Sequence, residues 1–298
     1  FPVEAVSVDR AARRLRLADG RLIGFDLLSL NVGSTVERGA FGDEAAGVWS
    51  AKPLDSLFRL RERVEADIAR SGMAPRILVA GAGQTGLETA AALAGLARRQ
   101  GVTPDVAVVG DPHAGGPGGG GPAGWRRLHA HLAAAGIRIA DGRVVSWDGR
   151  SALLASGRRL AARHLVRATG LVAHPLVAGL GLAVDPDGRL IVDATLRAPG
   201  DRRVFAVGDC AVIDGDWRPA VGVFGVRAAP VLAHNLAAAY GAVPPRRFRP
   251  QRRWLSIMDL GDGFGFANRG GRWRLGRDML WVKTSLDRAF LRRLRAAA

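Results

Sequence analysis

Apolar and polar positions alternate over residues 3–8 and again over 13–17, with turn signals at Asp9–Arg10 and Asp19–Gly20. This period of two predicts short, half-buried strands. Phe25–Val32 is a continuous apolar run that reads as a buried strand ending at Gly33–Ser34. Over 55–70 the period changes: Leu57, Leu60, Val64 and Ile68 fall on one helical face, with Asp55 expected as the N-cap and Ser71–Gly72 as the stop.

Arg76–Ala80 is a short buried strand, followed by Gly81-Ala-Gly83-Gln-Thr-Gly86 and an Ala/Leu-rich helix to about Arg99. A strand at Val106–Val109, a helix from about Trp125 to Ala135 and a strand at Ile137–Ala140 come next. A hairpin around Asp148–Gly149 joins 143–147 to 151–155, and His164–Ala168 is one more strand. Between Asp111 and Gly124 the run AGGPGGGG lacks the side chains to pack a core and is given no secondary structure. Beyond residue 170, Leu190–Val192 and Val204–Val207 read as strands, and Pro219 to Tyr240 as a long helix.

The order of elements over 74–170 is that of a dinucleotide-binding domain. The fold class expected is α/β: two Rossmann-like dinucleotide-binding domains, the first incomplete at its N-terminus, plus a small α+β C-terminal region. The segments are 1–54, a connector helix at 55–73, 74–170, 171–245, and 246–298. The chain opens at Phe1 inside what reads as a strand, so a fragment or truncated gene is expected.

In GAGQTG, a buried strand precedes the glycines and a helix starts within them. Gly81 permits the tight turn, Gly83 lets backbone approach a pyrophosphate, and Gly86 allows close helix–strand packing. Gln84 and Thr85 offer backbone N–H groups at the helix start. A carboxylate for the ribose hydroxyls belongs at the end of the next strand, but Gly110 stands there and Asp111 follows. Asp111 either reaches the ribose, which favours NADH over NADPH, or makes a turn with Pro112; both readings stay open. Downstream, the strand ending in Gly208–Asp209 puts a carboxylate at a strand C-terminus, where α/β folds bind ligands. Ala168-Thr169-Gly170 is another small-residue turn after a strand.

These residues carry a family resemblance. The run LAVDPDGRLIVDATLRAPGDRRVFAVGDCA (182–211) resembles the returning FAD-domain segment of the pyridine nucleotide–disulfide oxidoreductase superfamily. Gly81 through Ala90 carries that family's GxGxxGxExA form, and FDLLSLNVGS (25–34) is similar to its strand beside FAD. The likeness runs to type II NADH dehydrogenase-like proteins. Through VFGVRAAPVLAHNL (223–236) and RPQRRWLSIMDLGDGFGFA (249–267) it runs further, to the flavoprotein module fused to selenide, water dikinase.

The resemblance implies FAD and NAD(P)H as cofactors. Gly33, Ser34, Thr169, Gly170, Gly208, Asp209 and the Pro219 helix start would lie on the flavin side. Glu88 would lie near the nicotinamide; as a plain first-turn helix acid it has an equally good reading. The flavin itself would be the catalytic group. Hydride would pass from NAD(P)H to flavin and on to a quinone or another small acceptor. The family's first FAD motif, which belongs upstream of Phe1, is absent from the sequence. An alternative therefore stands: a non-catalytic binding or regulatory module of flavoprotein fold, linked to selenium metabolism. Arg227 and Ala228 stand where type II dehydrogenases carry glutamines, which weakens the quinone assignment.

The formal charge of +16 is almost all arginine, spread along the chain. No nucleic-acid-binding motif accompanies it, so a solvated basic surface is expected rather than a nucleic-acid partner. Met279, Val282, Leu286, Phe290 and Leu294 share a helical face near basic residues. Residues 276–295 are thus expected to touch either a membrane surface at the inner face of the cell membrane or a packing partner such as a second copy. The single cysteine, Cys210, fits a cytoplasmic protein and a buried structural thiol. His129 and His131, two apart on a helix, point away from each other, and no metal site is expected.

Overall fold

The computed structural model describes residues 3–36, 41–111, 121–241 and 243–297. The chain divides into two compact units, Phe1–Thr35 with Leu171–Arg252 and Val36–Gly170 with Arg253–Ala298.

The second unit is built on a five-stranded, all-parallel sheet in the order Val48–Ser50, His164–Arg167, Ile77–Ala80, Val106–Val109, Ile137–Ala140. Parallel strands are covered on both faces, which is why Ile77–Ala80 reads as an unbroken apolar run and is buried at every position. Helices Leu54–Ser71, Gln84–Arg99 and Gly121–Ala134 accompany this sheet. Leu60, Val64 and Ile68 of the first helix join Ile77, Val79, Leu87 and Leu128 in one core. Truncating such a side chain to Ala typically costs about 2–5 kcal/mol.

That first helix starts at Leu54, two residues earlier than an N-cap at Asp55 implies. Pro53 occupies its N-cap and Asp55 lies within the first turn, where its charge still complements the helix dipole. The stop is as read: Gly72, at φ 68°, donates its N–H to Ile68 O.

The hairpin at Val144–Trp147 and Ser151–Leu154 gains a third strand, Arg159–Ala161. In the same unit, Ser256–Asp259, Gly265–Arg269 and Arg272–Gly276 form an antiparallel sheet that runs into helix Arg277–Ala297. The fold is α/β with a parallel sheet of Rossmann type. The loop left without secondary structure falls largely on 112–120, outside the described residues.

In the first unit, Ala5–Asp9, Arg14–Leu17 and Leu22–Gly24 form an antiparallel sheet. Leu28–Leu30 pairs in parallel with Val204–Ala206, and Leu190–Val192 with Ala211–Ile213. Helix Gly222–Ala238 is tied to the following chain by buried Asn235. Its Nδ2 donates to Thr195 O (2.7 Å) and Arg246 O (2.8 Å), and its Oδ1 accepts the Arg246 N–H (2.7 Å).

The helix expected from Pro219 begins at Gly222 instead. The Arg218 carbonyl accepts from Arg189 Nη1 at 2.6 Å, and the Arg218 guanidinium pairs with Asp216 at 2.7 Å. The N-cap is Val221, extended at φ −129° and ψ 124°, so Pro219 lies before the helix rather than at its first residue.

Candidate functional site

In the second unit, three turns meet at the carboxyl end of the parallel sheet. Gly81 donates to Val109 O at 2.7 Å, and Ala168 donates to Ala80 O at 2.7 Å. Thus the turns after Ile77–Ala80 and His164–Arg167 lie side by side. The three motif glycines are not equivalent. A Cβ on Gly81 (φ 116°) would collide with Ala168 O, and one on Gly86 with Gly81 O. Both are required by backbone contact. Gly83 has an ordinary φ of −72°, and a Cβ there would meet nothing within 4 Å. Its missing side chain keeps space open rather than relieving a contact.

Gly83 is also the N-cap of helix Gln84–Arg99. It offers no side-chain cap, and the first turn holds no acid, so Glu88 lies beyond that turn and is not the first-turn acid expected. The leading N–H groups and the positive end of the helix dipole therefore face that open space, an arrangement suited to a phosphate.

Gly110, where a ribose-reading carboxylate was expected, has a steric cause: a Cβ there would collide with Ala82 N. Asp111 is the first position able to carry the acid, and it is exposed. Thr169 and Gly170 are exposed on the turn after Arg167, with Gly170 at φ 37°.

Thr85 and Glu88 line an apolar cavity of about 450 Å³ that also takes in Lys52, Leu57, Phe58 and Leu93. Glu88 Oε1 accepts the Asp259 N–H at 3.0 Å. Burial raises the Glu88 pKa, opposed by that N–H and by the charge of Lys283. Gln84 Oε1 accepts from Ser256 Oγ at 3.3 Å. The glycine helix is thus clamped by the strand Ser256–Asp259. The clamp is tightest where a Cβ on Gly95 would strike Gly261 O, and one on Gly261 (φ 67°) would strike Ala91 O. Sequence spacing did not reveal this partnership, because its two halves are far apart in the chain.

In the first unit, Ser34 Oγ donates to Asp209 Oδ2 at 2.9 Å, joining two predicted residues 175 positions apart. Gly208 (φ 74°) ends the strand Val204–Ala206 with its α-carbon facing Asn31, whose Oδ1 would lie 2.5 Å from a Cβ there. A Cβ on Gly225 would lie 3.1 Å from Gly208 Cα, so the first turn of helix Gly222–Ala238 rests against this glycine. Asn31 and Gly225 were not singled out from sequence; both lie inside stretches quoted for their resemblance. Gly33, at φ 71°, makes the turn before Ser34. Pro219 lines a cavity of about 50 Å³ together with Gly208 and Asp209, room for little more than solvent. Cys210 is fully buried, its Sγ 3.3 Å from Val207 O, and burial pushes its thiol pKa up. That is a packed thiol rather than a nucleophile. Among the described residues no group of three His, Cys, Asp or Glu could hold a metal ion.

The model of the pyridine nucleotide-disulphide oxidoreductase family matches residues 2–238. An NADH dehydrogenase-like protein of Mycobacterium tuberculosis is 32% identical over 217 residues, covering 70% of this chain and 54% of the relative. The chain therefore spans about half the length of that curated relative. The sulfide:quinone oxidoreductase of Aquifex aeolicus superposes with a TM-score of 0.78 at 17% identity, covering 99% of this chain and 75% of that one. A ferredoxin reductase from Rhodopseudomonas palustris superposes at 0.71 with 24% identity, over 90% of this chain and 63% of that one.

Proposed function

The chain belongs to the pyridine nucleotide-disulphide oxidoreductase family, and on that premise we propose that it acts as an FAD-dependent NAD(P)H oxidoreductase. Residues 74–170 would hold NAD(P)H, and 1–54 with 171–245 would contribute to holding FAD. When bound, FAD supplies the redox chemistry, taking hydride from NAD(P)H and passing electrons to a quinone or another small acceptor.

The observation that carries this reading is Gly83. It is the one motif glycine that neither its φ nor a neighbouring atom requires, and it lies at an uncapped helix N-terminus. The N–H groups at that terminus bind the cofactor pyrophosphate. Thr169 and Gly170 flank the same turn, and Asp111 accepts from the ribose hydroxyls in place of the occluded position 110. On the flavin side, Asp209, oriented by Ser34, accepts from a hydroxyl of the cofactor chain. Gly33, Gly208 and the stretch from Pro219 into the helix at Gly222 keep backbone close to it.

To test this, the full gene product is purified, its visible spectrum is recorded, and NADH is added without oxygen. A flavin band bleached by NADH, and more slowly by NADPH, is expected. A protein without flavin, or with flavin that neither nucleotide reduces, overturns the proposal.

No described helix is long and apolar enough to cross a membrane. Helix Arg277–Ala297 nevertheless exposes Trp281, Leu286, Phe290, Leu291 and Leu294 among Arg288, Arg292, Arg293 and Arg295. This composition supports a peripheral site on an anionic lipid surface. Flotation with acidic but not neutral vesicles is the expected result, and no flotation with either removes the assignment.

A further inference from the structure

At the amino end of the parallel sheet, opposite the glycine turns, the second unit holds a cavity of about 810 Å³. It opens before Val48, Ile77 and His164, the first residues of three adjacent strands. Its floor is uncharged: Trp49 and Ala162 are buried, and so is His164. The tautomer of His164 follows from its neighbours. Trp49 Nε1 donates to His164 Nδ1 at 3.2 Å, so Nδ1 carries no proton and Nε2–H donates to Asp67 at 2.9 Å. Burial also lowers the His164 pKa, favouring this neutral form.

The wall is cationic. Arg63, Arg76, Arg150 and Arg163 line it. Arg163 reaches Asp67 with Nε at 2.6 Å and Nη2 at 3.2 Å. Asp67 also faces Arg63 at 3.6 Å and Arg70. Burial opposes ionisation of Asp67, but the hydrogen bonds of Arg163 and His164 and the charge of Arg163 outweigh it and hold the carboxyl at about 2. Asp105 is shared by Arg76 (2.8 Å) and Arg138 (2.6 Å), and Glu44, the one acid lining the cavity, is held by Arg59 at 2.7 Å. Arg150 makes no ion pair among the described residues. Six guanidinium groups thus share three carboxylates, Arg150 is a seventh with none, and four of the seven line the cavity itself.

We propose that this cavity is a second ligand site, separate from the glycine turns, for a small molecule bearing two or more phosphate groups. Its volume is that of a small-molecule pocket rather than the extended track that a nucleic acid needs. Guanidinium forks match phosphate oxygens in bidentate fashion. Because each acid nearby already serves at least one arginine, a bound polyanion relieves the remaining repulsion instead of competing for a closed pair. Trp49 is buried with its N–H engaged by His164, so recognition rests on the arginines and on phosphate.

The test is titration calorimetry of the whole protein with inorganic tripolyphosphate, for wild type, Arg150→Glu and Arg202→Glu. Arg150 and Arg202 are both exposed and make no ion pair among the described residues, so neither change disturbs a core. The expected result is one site per chain, weakened about tenfold or more by R150E and unchanged by R202E. Equal weakening by both variants would mean diffuse attraction to a basic protein and overturn the proposal, as would no binding at all. NADH fluorescence is followed in the same samples. Tripolyphosphate that displaces NADH puts the anion on the glycine turns and overturns the second site, whereas failure of NADH to bind leaves this test intact.

Discussion

The turn after Ile77–Ala80 and the turn after Val204–Ala206 both follow a parallel strand and both hold a glycine at positive φ, 116° at Gly81 and 74° at Gly208. What faces those glycines differs. Gly81 and Gly86 look onto main-chain carbonyls, Ala168 O and Gly81 O. Gly208 looks onto the side-chain oxygen of Asn31, and the polar pair beside it, Ser34 with Asp209, consists of two side chains. The first cradle is backbone locked against backbone, Gly86 against its own turn and Gly81 against the turn at Ala168. The second is adjustable, assembled from segments some 175 residues apart. A locked turn tolerates no added atom, whereas side chains can rotate to admit one.

The largest test of this difference is Gly86→Ala. The carbonyl it would strike belongs to the same turn, so a destabilisation of about 3 kcal/mol or more is expected by urea unfolding. Gly208→Ala should cost less, about 1–2 kcal/mol, from positive φ and a displaced Asn31. Equal losses at the two positions would erase the distinction.

Gly83→Ala separates structure from binding within the first cradle. Its stability should change by less than about 1 kcal/mol, while NADH affinity falls about tenfold as the new methyl enters the phosphate space. Unchanged NADH affinity would mean that this glycine keeps no space for a ligand.

The smallest expected effect is at Glu88. Its folded pKa is raised above 4.5, chiefly by burial. Its contribution is therefore fully present below pH 4.5 and is lost as pH rises through the raised value. Glu88→Gln keeps an acceptor for the Asp259 N–H and removes this loss. At neutral pH the variant should match or slightly exceed wild type, by under about 1 kcal/mol, and the gap should close in acid. A gap that widens in acid would show a carboxylate stabilised in place.

Much of the sheet unit was legible because its signals are local. Ile77–Ala80, Val106–Val109 and Ile137–Ala140 are apolar runs with glycines beside them, and the structure puts strands at those residues. The same locality made the role of Gly86 readable, whereas the carbonyl that Gly81 faces belongs to the distant Ala168. Arg159–Ala161 was missed because RLA is too short and mixed to show a period. The helix start was misplaced to Pro219 because the residue that caps it, extended Val221, carries no capping side chain to announce the boundary. The arginines around Asp67 read as scattered surface charge for a different reason. Arg63 and Arg70 lie within one helical turn of Asp67, but Arg163 is 96 residues away and only folding brings it there.

The contact between Gly110 and Ala82 bears on how this protein could be re-engineered. Randomising position 110 to import an acidic nucleotide reader should return glycine alone, whatever the selection. Trimming position 82 to glycine would not rescue the acid, because the obstacle is the main-chain nitrogen of residue 82 and not only its methyl. The two positions therefore form an evolutionary dead end for that trait. Variation in coenzyme preference would have to act through Asp111, the next position along, instead.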